Sequence, residues 1–325
     1  MKVVKYFLVL TILFYSCNKE KKEEIKSDIK SLIVTNELKD INLASGKIIR
    51  MDSFSSKFVQ ARIVDIWLPD GYSNNKKYGV LYMHDGQNLF DATKTWNQQE
   101  WRVDEIVSEL TNKDSISEII VVAIWNISET RHQDYFPQKA LEFLTSSDKE
   151  KVIKNSNINN LNMTPEHLNG DNYLKFIVKE LKPFVDREFS TLTGYQNTMI
   201  SGSSMGALIS MYAVCEYPDV FGGAACISTH WPGVRPSDNN PVPGAFFKYM
   251  ETNLPSPQTH KFYFDYGTQT LDKYYPQYLD DVDRIFISKG YTIKNYMNLE
   301  FEGADHSEDS WNRRFDIPVA FLYKK

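Results

Sequence analysis

The alternation of two hydrophobic patterns along the chain is the feature that most constrains its fold. Short apolar runs of strand length are separated by stretches in which apolar residues recur every three or four positions. Strands that alternate with helices need crossover connections, which favours a mostly parallel sheet covered by helices on both faces. The predicted strands lie at residues 60–68, 78–84, 118–125, 197–201, 222–227, 260–266 and 293–301. The predicted helices lie at residues 101–110, 173–184, 205–217 and 276–289.

Residues with known end preferences mark two of these helices. Asn172 is the expected N-cap of the second helix, because its side chain can accept a hydrogen bond from an unpaired N–H group. In the last helix Pro276 stands near the start and Gly290 just past the end, which is the usual asymmetry. These signals support the α/β interpretation.

Three segments fall outside the simple alternation. Residues 47–68 are expected to add antiparallel edge strands on the N-terminal side of the sheet. Residues 138–170 and 231–258 fit the pattern poorly, and long irregular segments of this kind are typical of functional lids or insertions. We find no internal repeat and expect one catalytic domain over residues 41–325.

The charge balance argues against a polynucleotide partner. The chain has 325 residues, a formal net charge of −5 and no long basic cluster outside its extreme N-terminus. With 42% hydrophobic residues it can bury a large core, so most of it is expected to be ordered.

The first seventeen residues have the pattern of an export signal. Lys2 and Lys5 precede an apolar run that is too short to span a bilayer, and the run ends in Ser16-Cys17. A small residue before a cysteine resembles the lipobox of bacterial lipoproteins, so Cys17 is the expected lipidation site. Plain cleavage and an uncleaved signal are the alternatives. Residues 18–40 are expected to be a charged tether, which predicts a membrane-anchored lipoprotein of the periplasm or cell surface.

The other two cysteines, Cys215 and Cys226, stand among apolar residues and are expected to pack as small hydrophobic side chains. We find no paired Cys or His spacing typical of zinc and expect neither a metal nor an organic cofactor.

Ser204 is the candidate nucleophile. It lies in Gly202-Ser203-Ser204-Met205-Gly206, directly after a predicted strand and before a predicted helix. A G-x-S-x-G pentapeptide on such a turn is typical of the nucleophile elbow of α/β-hydrolases, which exposes the serine hydroxyl above the sheet. A phosphate-binding glycine loop is the alternative, but the Lys-Ser/Thr of a Walker motif is missing.

A serine hydroxyl needs a base, and His306 is the best placed of the six histidines. It follows the last predicted strand, where α/β-hydrolases carry the base. The third group should be a carboxylate between Ser204 and His306 in the chain. Asp272 is preferred because its loop can reach over the sheet edge, and Asp265, inside a strand, is the alternative.

Acyl transfer also needs N–H donors for the oxyanion. The backbone N–H of Met205 is one candidate, and Gln87 is the other, with Gly86 as a close alternative. Gly86 and several aromatic residues in or near these loops are candidates for substrate binding, although burial in the core is an equal alternative for each aromatic. The aromatic candidates are Trp101, Trp125, Tyr135, Trp231 and Trp311.

Several motifs in the same order resemble one family. They are MHDGQNLFD, W-x-V-D-E, R-x-x-D-Y-x-P, GSSMGAL, EYPDVFG, FDYGTQTLD and EGADHSEDSW. Over about residues 45–325 the chain is similar to the Putative esterase family of α/β-hydrolases, which groups enterochelin esterases, the esterase D type, feruloyl and acetyl xylan esterases, and mycolyltransferases.

The resemblance implies Ser204 as nucleophile, His306 as base and an acid in the GTQTLD loop. The chain departs from the pattern at Ala207, where many relatives have glycine. It also has Thr270 where some relatives carry the acid, so Asp272 stands two positions late, and some siderophore esterases use a Ser-His dyad.

The expected function is hydrolysis of extracytoplasmic esters through an acyl-enzyme on Ser204, with esterified glycan fragments or siderophore-type esters as substrates. Two alternatives are an acyltransferase of the mycolyltransferase kind and a non-catalytic ligand-binding lipoprotein. The sequence does not predict the oligomeric state.

Overall fold

The computed structural model describes residues 34–158, 161 and 163–324, and within them one sheet organises the chain. The sheet has nine strands in the order β1-β2-β3-β5-β4-β6-β7-β8-β9. The strands are β1 Asn36–Glu37, β2 Lys47–Phe54, β3 Arg62–Leu68, β4 Gly79–His84, β5 Ile119–Ile124, β6 Thr198–Ser203, β7 Gly223–Ile227, β8 Lys261–Gly267 and β9 Tyr296–Phe301.

The strand directions divide the sheet into two parts. The pairs β1–β2, β2–β3 and β3–β5 are antiparallel, whereas β5–β4, β4–β6, β6–β7, β7–β8 and β8–β9 are parallel. The prediction of a mostly parallel sheet with antiparallel strands on the N-terminal side is confirmed. Each of the seven predicted apolar runs overlaps a strand of this sheet.

Helices cover both faces of the sheet. The α-helices are α1 Val103–Asn112, α2 Arg131–Asp134, α3 Ser146–Ile158, α4 Gly170–Phe176, α5 Lys182–Glu188, α6 Met205–Glu216, α7 Val242–Asn253, α8 Leu279–Ser288, α9 Glu308–Asn312 and α10 Asp316–Tyr323. A π-helical stretch, Ile177–Leu181, joins α4 to α5.

Alternate residues of the same strands belong to two separate cores, as the period of two of a strand requires. Val80 and Tyr82 of β4 pack in one core with α6, while Leu81 and Met83 pack in the other with α1 and α10. Nearly every residue of α6 is buried, so this helix is surrounded by protein. It is therefore a rigid support for the turn that precedes it.

Several sequence predictions need correction. The segment 231–258 contains the regular helix α7, which is buried through Phe246, Tyr249 and Met250. The segment 138–170 contains α3. Helix α4 begins at Gly170, so Asn172 is not its N-cap. Helix α7 was missed because Pro243 and Gly244 interrupt its helical signal, and α3 was missed because most of its residues are polar.

The N-terminal boundary also differs from the prediction. Asn36 and Glu37 pair with Arg50 and Ile49 of β2, so the sheet begins inside the segment 18–40 that was expected to be a tether. The predicted signal peptide, the lipidation site Cys17 and most of that tether lie outside the described residues. Among the described residues, no helix has the length and apolarity needed to cross a bilayer. Cys215 and Cys226 are buried free thiols, as expected.

Candidate active site

Ser204 occupies a sharp, strained turn between β6 and α6. Its φ is 59° and its ψ is −119°, and a non-glycine residue at positive φ is held there only by its surroundings. Its backbone N–H donates to the carbonyl of Ile227 at the end of β7, over 2.9 Å. A Cβ on Gly202 would lie 2.9 Å from the Gly206 carbonyl carbon and 3.0 Å from the His84 ring, so only glycine lets the turn close. The half-buried serine is thus fixed at the carboxyl edge of the sheet.

His306 and Asp272 meet at the same edge. His306 lies in the loop after β9, and its Nδ1 is 2.5 Å from Asp272 Oδ1. Its backbone N–H donates to Thr270 Oγ1 at 2.9 Å, so the residue where some relatives carry the acid supports the histidine loop here. Because the carboxylate of Asp272 is fully buried, its charge must be satisfied by neighbouring donors.

The donors lie at the carboxyl ends of β8 and β7. Gly267 N–H donates to Asp272 Oδ2 at 2.6 Å, and Ser228 Oγ donates to the same oxygen at 2.5 Å. One carboxylate oxygen therefore faces His306 while the other faces two fixed donors. This arrangement sets the orientation of the carboxylate plane.

Asp265, the alternative acid, has other partners. Its Oδ2 accepts from Arg314 Nε at 3.1 Å, its Oδ1 accepts from Arg314 Nη2 at 3.0 Å, and the Ser228 N–H donates to Oδ1. Burial raises the pKa of Asp265, and the adjacent Arg314 guanidinium opposes that shift. Asp272, rather than Asp265, is the carboxylate bonded to His306.

Tyr275 packs beside His306 and bonds to His230. Its ring lies edge-on to the His306 ring with centroids 6.1 Å apart, and its hydroxyl is 2.9 Å from His230 Nδ1. Burial raises the pKa of Tyr275 well above its usual value, while a hydrogen bond from the Ser204 side chain acts in the opposite direction. Among the contacts of the described residues there is no direct hydrogen bond between Ser204 Oγ and His306. Catalytic hydrogen bonds are often long until a substrate is bound.

The remaining histidines have local roles. His84 Nδ1 is 2.8 Å from the Tyr173 hydroxyl, and burial lowers the pKa of His84 to about 3. Burial also lowers the pKa of His230 to about 3 and that of His132 to about 4. His167 bonds to Thr164, and His260 bonds to the carbonyl of Pro218.

The loop after β4 approaches the elbow from the other side. It forms a 3-10 turn, Gly86–Asn88, and a Cβ on Gly86 would lie 2.7 Å from the backbone of Ala123 in β5. Met205 and Gln87 each lie at the start of a helical turn, where an amide N–H has no carbonyl partner within the turn. An N–H group without such a partner is what an oxyanion donor requires, and the two predicted donors meet this condition within their turns.

An ion pair between Arg131 and Asp85 holds this loop. Arg131 Nε and Nη2 donate to the two oxygens of Asp85 at 2.8 and 2.7 Å, and Asn126 Nδ2 adds a third bond. Burial would raise the pKa of Asp85, but Arg131 and Asn126 lower it overall. The Asp85 N–H donates to the Tyr135 hydroxyl at 3.3 Å. The R-x-x-D-Y-x-P motif therefore supports the loop that carries Gly86 and Gln87.

The aromatic candidates separate into core and surface groups. Four of the candidates are buried and pack in the core, which is the alternative to substrate binding: Trp101, Tyr135, Trp231 and Trp311. Trp311 has its ring 5.0 Å from that of His306 and is closest to the reactive groups. Trp125 is half-buried and lines a cavity of about 370 Å³. The cavity walls are Leu38, Asp40, Ile41, Arg50, Asp65, Gly86, Gln87, Phe90, Asp91, Lys94 and Trp125.

The sequence did not single out Tyr275, Ser228, Arg314 or Arg131 as parts of the site. Ser228 directly follows β7, and residues after the carboxyl ends of parallel strands are where ligands bind in such sheets. That rule was available for Ser228. The other three reach the site only through tertiary packing.

A nine-stranded sheet with a strained serine between β6 and α6 defines an α/β-hydrolase. The chain matches the family model described as "Putative esterase" over residues 55–317, so it belongs to this esterase family. The protein is accordingly a carboxylic-ester hydrolase.

Two relatives come from Bacillus subtilis strain 168. The uncharacterized protein YbbA is 26% identical over 268 residues, which are 80% of this chain and 92% of YbbA. The uncharacterized protein YjcH is 28% identical over 179 residues, which are 55% of this chain and 60% of YjcH. The match thus spans less than two thirds of YjcH.

Solved structures share the fold. A ferulic acid esterase from the anaerobic fungus Anaeromyces mucronatus has a TM-score of 0.56 at 18% identity, with 89% of this chain and 97% of that chain covered. An IroE-like serine hydrolase from Shewanella oneidensis has a TM-score of 0.58 at 18% identity, with 85% and 79% covered. At this identity the likeness concerns the fold alone.

Proposed function

We propose that the protein hydrolyses carboxylic esters through an acyl-enzyme on Ser204, with His306 as base and Asp272 as acid. The observation that supports this most directly is the 2.5 Å contact between His306 Nδ1 and Asp272 Oδ1, at the sheet edge where Ser204 lies on a strained turn. Ser204, Asp272 and His306 also follow one another in the chain order usual for α/β-hydrolases.

The contact with Asp272 defines the proton route. A carboxylate accepts hydrogen bonds, so Nδ1 of His306 carries the proton and Nε2 is free to act as base. His306 takes the Ser204 proton as the hydroxyl attacks the ester carbonyl, and returns it to the departing alcohol. Water then attacks the acyl-enzyme by the same route, which releases the acid and restores the serine.

Charge that develops on the carbonyl oxygen needs donors that are already in position. The backbone N–H groups of Met205 and Gln87 fill this role in the proposal, because each begins a helical turn at the sheet edge. Asp85 and Arg131 keep the second donor in place through two hydrogen bonds. Neither donor depends on the identity of its own side chain.

The cavity beside Gln87 supports a substrate with a polar, ring-containing part. Its volume is about 370 Å³, and it combines the Trp125 ring with carboxylates, Lys94 and Arg50. Aromatic faces stack on sugar or aryl rings, and the charged groups can hydrogen-bond hydroxyls. Neighbours in fold are described as a ferulic acid esterase and as the enterobactin esterase of Shigella flexneri. We therefore propose esterified glycan fragments or siderophore-type esters as substrates.

A panel of esters tests the activity and the substrate class together. Acetyl, feruloyl, p-nitrophenyl and catecholate siderophore esters are incubated with the protein and with Ser204→Ala. We expect turnover by the natural protein alone, with a higher kcat/KM for feruloyl or siderophore esters than for p-nitrophenyl acetate. Added alcohol acceptors that yield new esters would indicate transfer rather than hydrolysis. Absence of turnover on every ester would contradict the proposal.

We also propose export and lipidation at Cys17, and this proposal rests on the sequence alone. Residues 1–17 combine Lys2 and Lys5, an apolar run and Ser16-Cys17. Metabolic labelling with an alkyne fatty acid in a bacterial host should label the natural chain in the membrane fraction, and Cys17→Ala should remove the label. Equal labelling of both chains would contradict this part of the proposal.

A further inference from the structure

Ser228 lies at a point where three charged groups of the site converge. It follows β7 directly, and its φ is 44°. Residues other than glycine rarely adopt this left-handed backbone conformation. Its N–H donates to Asp265 Oδ1 at 3.0 Å, so a buried carboxylate holds this strained backbone. A strained residue persists only where its surroundings over-determine it, and such residues cluster at active sites.

The hydroxyl of Ser228 has a direction imposed on it. Arg314 Nη2 donates to Ser228 Oγ at 3.0 Å, and Trp311 Nε1 donates to the same oxygen at 2.9 Å. Both of these groups are donors only, so they occupy the two lone pairs of the oxygen. The single proton of Ser228 is left for Asp272 Oδ2 at 2.5 Å.

We propose that Ser228 is a positioning residue for the reaction, which fixes the carboxylate of Asp272 so that its other oxygen faces His306. The proposal rests on the assignment of Asp272 and His306 in the proposed function. Asp265 and Arg314 act one step further away, because they fix the backbone and the hydroxyl of Ser228. The two carboxylates of the YFDYGTQTLD segment thus have different tasks: Asp272 meets the base, and Asp265 anchors the group that orients Asp272.

The hydrogen bond also changes how strongly Asp272 stabilises a positive charge on His306. Each donor to the carboxylate draws negative charge away from the oxygen that faces the imidazole. Removal of the Ser228 hydroxyl leaves Gly267 N–H as the donor to Asp272 Oδ2 among the described residues, so the imidazolium of His306 becomes more favourable. Within the described part of the chain, the ionisable groups that interact with His306 are Asp272, His230, Tyr275 and Asp305, with Arg314 and Asp265 behind Ser228.

Ser228→Ala and Ser228→Gly test the proposal as a pair. Both remove the hydroxyl, but glycine also relieves the positive φ, so an effect common to both variants belongs to the hydroxyl and not to backbone strain. Ser210→Ala is the matched control, because Ser210 is equally buried and, among the residues that the structure describes, its hydroxyl bonds within its own helix, to the Gly206 carbonyl.

The measurement is the pH profile of kcat/KM, together with kcat, KM and the thermal unfolding midpoint. We expect the acidic limb to move to higher pH by about half a unit to one unit in both Ser228 variants. We expect plateau kcat to fall roughly three- to tenfold, with KM within about threefold, because the carboxylate keeps fewer donors that hold its orientation. The Ser210 variant should keep the acidic limb of the natural protein.

Three outcomes overturn the proposal: an unmoved acidic limb in both variants, a limb that moves to lower pH, or a limb that moves only in the alanine variant. A fall in unfolding midpoint with an unmoved limb assigns Ser228 a structural role alone and also overturns it. Failure of the proposed function has a different signature, since His306→Ala would then keep its activity whatever the Ser228 variants do.

Discussion

Two arginine–aspartate pairs support different halves of the proposed chemistry, and they differ in burial. Arg131 binds both oxygens of Asp85 in the loop after β4, and Arg314 binds both oxygens of Asp265 within β8. The first pair is partly open to solvent, with 29% of the Arg131 side chain exposed, whereas 3% of the Arg314 side chain is exposed.

The difference lies in what each pair holds. The Asp85 pair fixes a stretch of backbone, because the proposed oxyanion donor in this loop is the backbone N–H of Gln87. The Asp265 pair fixes side chains, since its neighbours Ser228 and Asp272 act through a hydroxyl and a carboxylate. One half of the site should therefore tolerate changes of side chain, and the other half should not.

The largest predicted effect comes from the two carboxylates on the Arg314 side. Asp272→Asn should lower kcat by about 1000- to 10,000-fold, because an amide favours the wrong tautomer of His306. Asp265→Asn should lower kcat far less and instead lower the unfolding midpoint, because it weakens the ion pair with Arg314. Steady-state kinetics and thermal unfolding of both variants check this. A larger kcat loss in Asp265→Asn would exchange the two assignments.

The second prediction concerns the backbone donor on the Arg131 side. Gln87→Pro removes the N–H and should lower kcat by about 100- to 1000-fold, whereas Gln87→Ala keeps the N–H and should change kcat by less than about threefold. Kinetics with one chromogenic ester suffice, and circular dichroism controls for folding. Equal losses in both variants would show that the side chain, not the backbone, is used.

The third prediction compares the two arginines. Arg314→Met leaves Asp265 buried without its partner and should destabilise the protein by about 3–5 kcal/mol. Arg131→Met should destabilise it less, because the Asp85 pair is nearer to solvent, yet lower kcat about 10- to 100-fold by releasing the loop that carries Gln87. Urea unfolding and kinetics on both variants separate the effects. The comparison fails if Arg131→Met leaves kcat unchanged.

The smallest predicted effect lies in the cavity next to Gln87. Trp125→Ala should raise KM for a feruloyl or sugar ester about three- to tenfold and leave kcat within about twofold, because the ring is expected to bind the substrate away from the reacting atoms. KM for p-nitrophenyl acetate, which is too small to fill the cavity, serves as the control. An equal rise in KM for both esters would argue against a ring-binding role.

The fold could be predicted from the sequence because strands and helices leave different periods of apolar residues along the chain. Seven strands of the sheet coincide with short apolar runs in the sequence, and their parallel direction follows from their alternation with helices. Helix α7 was missed because Pro243 and Gly244 near its start interrupt the helical signal. Its burial comes from tertiary contacts that no local pattern carries.

The candidate site was partly accessible from the sequence for a similar reason. Ser204 lies in a local motif, and His306 and Asp272 lie in loops after predicted strands. Their order along the chain was therefore enough to select them as candidates. Ser228, Tyr275 and Arg314 carry no motif of their own. Their roles arise from hydrogen bonds between residues far apart in the chain, such as the 3.0 Å bond from Arg314 to Ser228.

A fluorophosphonate probe reacts with activated serines, so it tests whether Ser204 is a nucleophile activated by His306. Intact-mass analysis should show one adduct on the natural protein, mapped to the peptide that contains Ser204. Ser204→Ala should show no adduct, and His306→Ala should react at least about 100-fold more slowly. Equal labelling of the natural protein and Ser204→Ala, or undiminished labelling of His306→Ala, would contradict the claim.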